Sequence, residues 1–293
     1  MSWLQLKLDT TRDGVEAVED ALLAAGAVSV TLLDRADQPI LEPAVGETPL
    51  WDQVRVIGLF TANTDTEQAT ETARDSLGKE LPDHSWEILE DKDWEREWMK
   101  YYHPIQCGER LWICPSWLEP PVPNAVNLML DPGLAFGTGT HPTTFLCLQW
   151  LDGIDLKGKT VVDYGCGSGI LGIAALLLGA EKVIAIDNDP QALLATRDNG
   201  ERNNIDPNKL FTYLPGEQPE LQADVTVANI LAAPLISLAE TISGLTRSGG
   251  KLCMAGLIVP QIEDVMAPYA NQFEFDTPVS KEDWARLSGV KTQ

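Results

Sequence analysis

Apolar and polar residues alternate in the segment WLQLKLD, the period-two signature of a half-buried strand. The period then changes. Over residues 12–26 Val15, Val18, Leu22 and Leu23 fall on one helical stripe, with Glu16, Glu19 and Asp20 outside it and Gly26 as the stop. VSVTLLD (28–34) and QVRVIGLF (53–60) predict two strands, separated by an acidic, proline-containing loop from about Arg35 to Asp52. A polar helix follows over 65–78, begun by Asp65 or Thr66 and ended near Gly78, and SWEILED (85–91) predicts a fourth strand. The order β-α-β-β-α-β is that of a ferredoxin-like domain, spanning residues 1–90.

The segment DKDWEREWMKYYHP (91–104) concentrates Trp94, Trp98, Tyr101 and Tyr102. Trp94 and Trp98, four residues apart, predict a linker helix pinned against a neighbouring domain; an aromatic recognition platform is the alternative. The domain boundary is expected here, with residues 105–293 as a second domain. From Lys159 apolar strand runs alternate with helices, as in a doubly wound α/β sheet. TVVDYG, KVIAIDNDP, LFTYL (210–214), ADVTVANIL (223–231) and GKLCMAGL (250–257) are strands; ILGIAALLLGA and residues from about Pro190 to Asn203 are helices. The second domain is therefore expected to be α/β with a Rossmann-like sheet.

Chemistry concentrates at the first strand-to-helix turn, Asp163-Tyr-Gly165-Cys-Gly167-Ser-Gly169-Ile-Leu-Gly172. Glycine lets the backbone bend sharply and a ligand approach closely. Asp187, about twenty residues on at the end of the next strand, suits the two hydroxyls of a ribose. Gly167, Gly169 and Gly172 also fit the fingerprint of a nicotinamide dinucleotide site, which would make the chain a dehydrogenase. Asp163 opposes that reading, because a carboxylate at the strand end repels a pyrophosphate. It attracts the ammonium and sulfonium of S-adenosylmethionine. Upstream, Asp131-Pro-Gly-Leu-Ala-Phe136-Gly-Thr-Gly-Thr-His141-Pro-Thr143-Thr144 reads as a loop ending in a helix that starts at Pro142. Thr143 or Thr144 can donate a hydroxyl hydrogen to a cofactor carboxylate there; a surface loop with a helix cap is the plainer reading.

Charge narrows the partners. There are 44 acidic against 21 basic side chains, a net charge of −23, with no basic run to hold phosphates. Direct nucleic-acid binding is not expected. A basic protein partner would be attracted, although net charge equally serves solubility. No apolar stretch is long enough for a membrane span, and MSWLQLKLDTTRD lacks the basic and apolar regions of a signal peptide, so a cytoplasmic protein is expected. Five cysteines without a CxxC pair predict free thiols, Cys107 and Cys114 among them, and no metal site. His84 and His103 have no partner spacing.

Taken together, LDPGLAFGTGTHPTT, VVDYGCGSGILGIAALLLGA, AIDNDPQA and VANILAAPL resemble the ribosomal protein L11 methyltransferases (PrmA family), and the resemblance extends to the N-terminal domain and WEREWMKYYHP. It implies a seven-stranded methyltransferase sheet, S-adenosylmethionine as cofactor, and transfer to lysine and N-terminal amino groups of a basic ribosomal protein. It places cofactor contacts on Thr144, Gly165, Asp187 and Asn229, to which the glycine-turn argument adds Asp163 and Gly167. No strong general base is obligatory for this chemistry, so no catalytic residue is named. Asn229 closes its strand where other amine methyltransferases carry an Asn-Pro-Pro-Tyr-type loop. The prolines and the aromatic are missing here (Asn-Ile-Leu-Ala), which puts the substrate-gripping part of that loop in doubt.

Overall fold

The computed structural model describes residues 2–41, 46–90, 102–131 and 139–292. The chain divides into two compact units, residues 1–99 and 100–293.

In the first unit β1 (Trp3–Thr11), α1 (Val15–Ala24), β2 (Ser29–Asp34), β3 (Gln53–Thr61), α2 (Thr66–Leu77) and β4 (His84–Leu89) follow the predicted order. The strands form one antiparallel sheet in the order β2-β3-β1-β4. Alternation puts Leu6, Leu8, Val54, Val56 and Phe60 on one face, where Val15, Val18, Leu22 and Ala69 from the two helices cover them. Asp65 caps α2 by accepting from the amides of Glu67 and Gln68. Gly78 ends it at φ +67°, a left-handed conformation that glycine adopts without strain. Leu23, predicted on the buried stripe, is 53% exposed, and Ala21 is buried instead. At 100° per residue Leu23 lies well off the arc of Val15, Val18 and Leu22.

Residues 91–101 of the expected linker helix lie outside the described residues, and residues 102–104 are not helical. The second unit opens with a three-stranded sheet that the pattern did not predict: β5 (Ile105–Gln106), β6 (Leu111–Cys114) and β7 (Val126–Met129). Such short strands carry too few residues to show a period. Cys107 follows β5 and Cys114 ends β6; both are buried, and all five cysteines are free. Burial pushes the Cys107 thiol up to about 12.

Then come α3 (Pro142–Asp152), β8 (Thr160–Tyr164), α4 (Ile170–Leu177), β9 (Lys182–Ile186), α5 (Pro190–Arg202), β10 (Leu210–Tyr213), β11 (Ala223–Asn229), α6 (Ala232–Ser237), α7 (Ala239–Leu245), β12 (Thr246–Ile258), α8 (Ile262–Met266), β13 (Phe273–Phe275), β14 (Val279–Lys281) and β15 (Trp284–Lys291). The sheet runs β10-β9-β8-β11-β12-β15-β13. Seven strands make this path, as expected; short β14 adds an eighth by pairing with β15. The first five are parallel, and β15 runs antiparallel between β12 and β13.

Strands covered on both faces are apolar throughout, which is why they read as continuous runs. Val161, Val183, Val225, Val227 and Cys253 pack with Cys147, Leu148 and Leu151 of α3 and Ile173 of α4. Val162, Ile184, Leu252 and Met254 pack on the other face with Leu235, Ile242 and Tyr269. The strand order reverses between β8 and β11. In open α/β sheets such a switch point, at the carboxyl ends of the strands, is where ligands bind.

Candidate functional site

At the carboxyl end of β8 the chain turns through Gly165, Gly167 and Gly169, at φ +76°, +53° and +78°. Gly165 and Cys166 both donate their amides to the carbonyl of Ile186, at 2.7 and 3.1 Å, tying the turn to β9. Side chains of α5 hold it from below: the Thr196 hydroxyl donates to the Gly167 carbonyl at 3.1 Å, and Asn199 Nδ2 to that of Ser168 at 2.9 Å. A Cβ at Gly169 would stand 2.8 Å from Thr196 Cγ2, and one at Gly172 2.8 Å from Val183 Cγ1. These glycines therefore serve close packing as well as the turn.

Asp187, half-buried just past β9, accepts from the Gly167 amide at 2.9 Å and from the Asp189 amide at 3.0 Å. Each contact uses a different oxygen, so lone pairs remain for a further donor. Asp163 is 1% exposed. Its Oδ2 accepts from the Gly172 amide at 2.8 Å in the first turn of α4, and Oδ1 is buried without a partner. Burial pushes its carboxyl up to about 7, Asp187 adds to the rise, and the Gly172 amide opposes it.

The second cluster lies at the end of β11. Asn229 Nδ2 donates to Thr144 Oγ1 at 3.2 Å, while Asn229 Oδ1 is buried and unpartnered. Thr144 is fully buried in the first turn of α3. That helix starts at Pro142 as the sequence predicts, and its cap is His141, whose Nδ1 accepts from the Thr143 amide at 3.4 Å and lies 2.8 Å from Thr143 Oγ1. The His141 ring stands edge-on to Trp284 at 4.7 Å between centroids. Burial lowers its pKa, opposed by Glu282.

The loop before α3 is anchored at both ends. Asn203 bonds both the amide and the carbonyl of Met129, at 2.7 and 2.8 Å, and Ser116 donates to Asp131 at 2.7 Å. At the far end Gly139 lies against Ile113 and Ile170. Phe136 and the rest of residues 132–138 lie outside the described residues.

The six expected residues thus gather as two groups at the carboxyl edge of one sheet: Asp163, Gly165, Gly167 and Asp187, and Thr144 with Asn229. Sequence reading missed Ile230 and Gly256. A Cβ at Gly165 would collide with Ile230 Cγ2, and one at Gly256 with the Ile230 carbonyl. No spacing rule links glycines as distant in sequence as Gly165 and Gly256; only the sheet order does.

A glycine turn feeding a helix, an acidic residue ending the next strand, and a sheet with one antiparallel strand inside its far edge define a nucleotide-type cofactor fold of the methyltransferase kind. The family model described as ribosomal protein L11 methyltransferase (PrmA) matches residues 2–292. The ribosomal protein L11 methyltransferase of Cellvibrio japonicus is 60% identical over 293 residues, covering 100% of both chains, and that of a Marinomonas species is 56% identical, covering 99% of each. The crystal structure of ribosomal protein L11 methylase from Lactobacillus delbrueckii subsp. bulgaricus is 30% identical, covers 66% of this chain and 100% of its own, and aligns with a TM-score of 0.58. The chain belongs to the PrmA family and is an S-adenosylmethionine-dependent methyltransferase.

Proposed function

We propose that the chain methylates amino groups of ribosomal protein L11, at lysine side chains and the N-terminal α-amine, in the cytoplasm. The observation that carries this reading is Asn229 Oδ1, a buried acceptor without a donor at the carboxyl end of β11. A buried carbonyl oxygen left unpaired costs about 1–3 kcal/mol, which an incoming N–H donor restores.

The residues fit the cofactor. Gly165 and Gly167 hold the positive φ of a tight turn, and the unpartnered acceptor oxygens of Asp163 and Asn229 suit a ligand that carries donors and positive charge. S-adenosylmethionine supplies a methyl group on a sulfonium, which is already a good leaving group. In this reading Asp187 accepts from the ribose hydroxyls, Gly165 and Gly167 allow close approach, Asp163 contributes negative charge, and Thr144 fixes the cofactor-side face of Asn229. Asn229 Oδ1 would accept a hydrogen of the neutral target amine and so fix the direction of its lone pair. Alignment of this kind contributes more than a base would, because the amine loses its proton only after the bond forms.

The order and pairing of β1–β4 suit a ferredoxin-like fold. We assign residues 1–90 to substrate recognition, 91–104 to a linker and 105–293 to methyl transfer. All six site residues lie in the last segment, which leaves the first free to present a basic protein. No helix among the described residues is long and apolar enough to cross a membrane. Mass spectrometry of purified L11 after incubation with enzyme and cofactor tests the proposal. Increments of one methyl mass on lysine and α-amine positions are expected, and an unmodified L11 would overturn the substrate assignment.

A further inference from the structure

Ile230, the residue after Asn229, sits between two glycines of neighbouring strands. Its side chain rests over Gly165, which follows β8, and its backbone rests over Gly256 within β12. Asn229 pairs with Ala255 across the parallel β11–β12 ladder. The β12–β15 register then shifts between Ala255 and Leu257, so Gly256 is the bulged residue, and it holds φ +92°. That conformation presses its Cα against Ile230. A Cβ there would collide with the Ile230 carbonyl oxygen and stand 2.7 Å from the carbonyl carbon and 3.1 Å from the amide nitrogen. A bulge bends its strand and re-aims what lies beside it. Here the neighbour is the peptide that carries Asn229.

We infer that Gly256 is a positioning residue for methyl transfer: its bulge and Gly165 clamp Ile230 between them and so set where the Asn229 carboxamide meets the target amine. Thr144 fixes the side chain of Asn229 from one direction. The clamp fixes its backbone from the other, and its Gly165 jaw ties the acceptor group to the cofactor turn. This rests on the reading of Asn229 given above.

The two jaws differ in kind, which makes the inference testable. At Gly165 the obstacle is a side chain that can be trimmed; at Gly256 it is the Ile230 backbone, which cannot. Gly256→Ala pushes that backbone back by about 1 Å to reach ordinary contact. A misplacement of that size lowers turnover by up to about 100-fold. The full chain is assayed for kcat, KM and cofactor Kd, with thermal unfolding to show that each variant is folded. Gly256→Ala should lower kcat at least about ten-fold while cofactor Kd stays within about three-fold. Adding Ile230→Ala should not restore it. Gly165→Ala should weaken cofactor binding, and Ile230→Ala should recover part of that loss relative to the single Ile230→Ala variant. If Gly256→Ala does not fold, Ile230→Gly opens the same clamp, and kcat should again fall more than cofactor affinity. An unchanged kcat in folded Gly256→Ala, or in Ile230→Gly, while Asn229→Ala is inactive overturns the clamp. Full activity of Asn229→Ala instead overturns the underlying role of Asn229.

Discussion

Asp163→Asn separates two consequences of burying one carboxyl. The side chain is 1% exposed and its Oδ1 has no donor, and its pKa rises from 3.8 to about 7. A raised folded-state value means that the folded chain holds the proton more tightly than the unfolded one. The stability associated with that proton is fully present below pH 3.8 and is lost as pH rises through 7. The displacement of about three pH units, at about 1.4 kcal/mol each, makes ionised Asp163 cost about 4 kcal/mol above pH 7. At pH 5 the same reasoning gives a cost half as large, roughly 2 kcal/mol. Asparagine carries no such cost and can keep its oxygen on the Gly172 amide. The ligand-free Asp163→Asn variant should therefore gain stability over the native chain, by about 2–3 kcal/mol more at pH 8 than at pH 5. Its affinity for the cationic cofactor should fall, since the negative charge is gone. Urea denaturation at the two pH values measures the first effect. Calorimetry in buffers of different ionisation enthalpy measures the second, because cofactor binding to native enzyme near pH 6 should release a proton and binding to the variant should not. A stability difference that does not grow with pH would refute the reasoning.

Other expectations follow from the same geometry. Asp187→Ala removes charge-assisted contacts worth about 1.5–3 kcal/mol and should weaken cofactor binding about ten- to a hundred-fold by calorimetry. His141 caps α3 through an unprotonated Nδ1, and its pKa is lowered from 6.5, so that contribution is present above the ordinary value and lost as pH falls through the depressed one. His141→Ala should cost about 0.5–2 kcal/mol at pH 7.5, and the difference should vanish in mild acid, as followed by thermal unfolding. With a net charge of −23, added salt should slow association with a basic protein substrate in stopped-flow mixing while leaving cofactor affinity nearly unchanged.

What the sequence made legible was what repeats or what needs glycine. The alternation in β1, the continuous apolar run of β8 and the helix boundaries at Asp65, Gly78 and Pro142 are local properties, and all appear where the pattern puts them. The short strands Ile105–Gln106 and Val279–Lys281 carry no period and gain their identity only from the neighbour they pair with. The first site cluster was readable because Gly165, Gly167 and Asp187 lie within one strand–helix–strand unit. The hydrogen bond from Asn229 to Thr144 spans 85 residues, and the contact of Ile230 with Gly256 depends on a bulge in another strand. Neither leaves a mark in spacing. Asp163 was legible as a charge at the turn, but its partner in the first turn of α4 follows from how the helix docks on β8.

β15 lies inside the sheet although it is the last strand in sequence, with β12 on one side and β13 on the other. A nascent chain therefore cannot close this sheet until residues 284–291 have left the ribosomal exit tunnel. Until then β12 and β13 each present an open edge, and open edges recruit other chains. Asn229 at the end of β11 pairs with Ala255 of β12, so assembly of the site waits on the same event. The enzyme should become active only once residues 284–291 have emerged and paired, and a message truncated before Trp284 should yield an aggregating chain rather than a weakened enzyme.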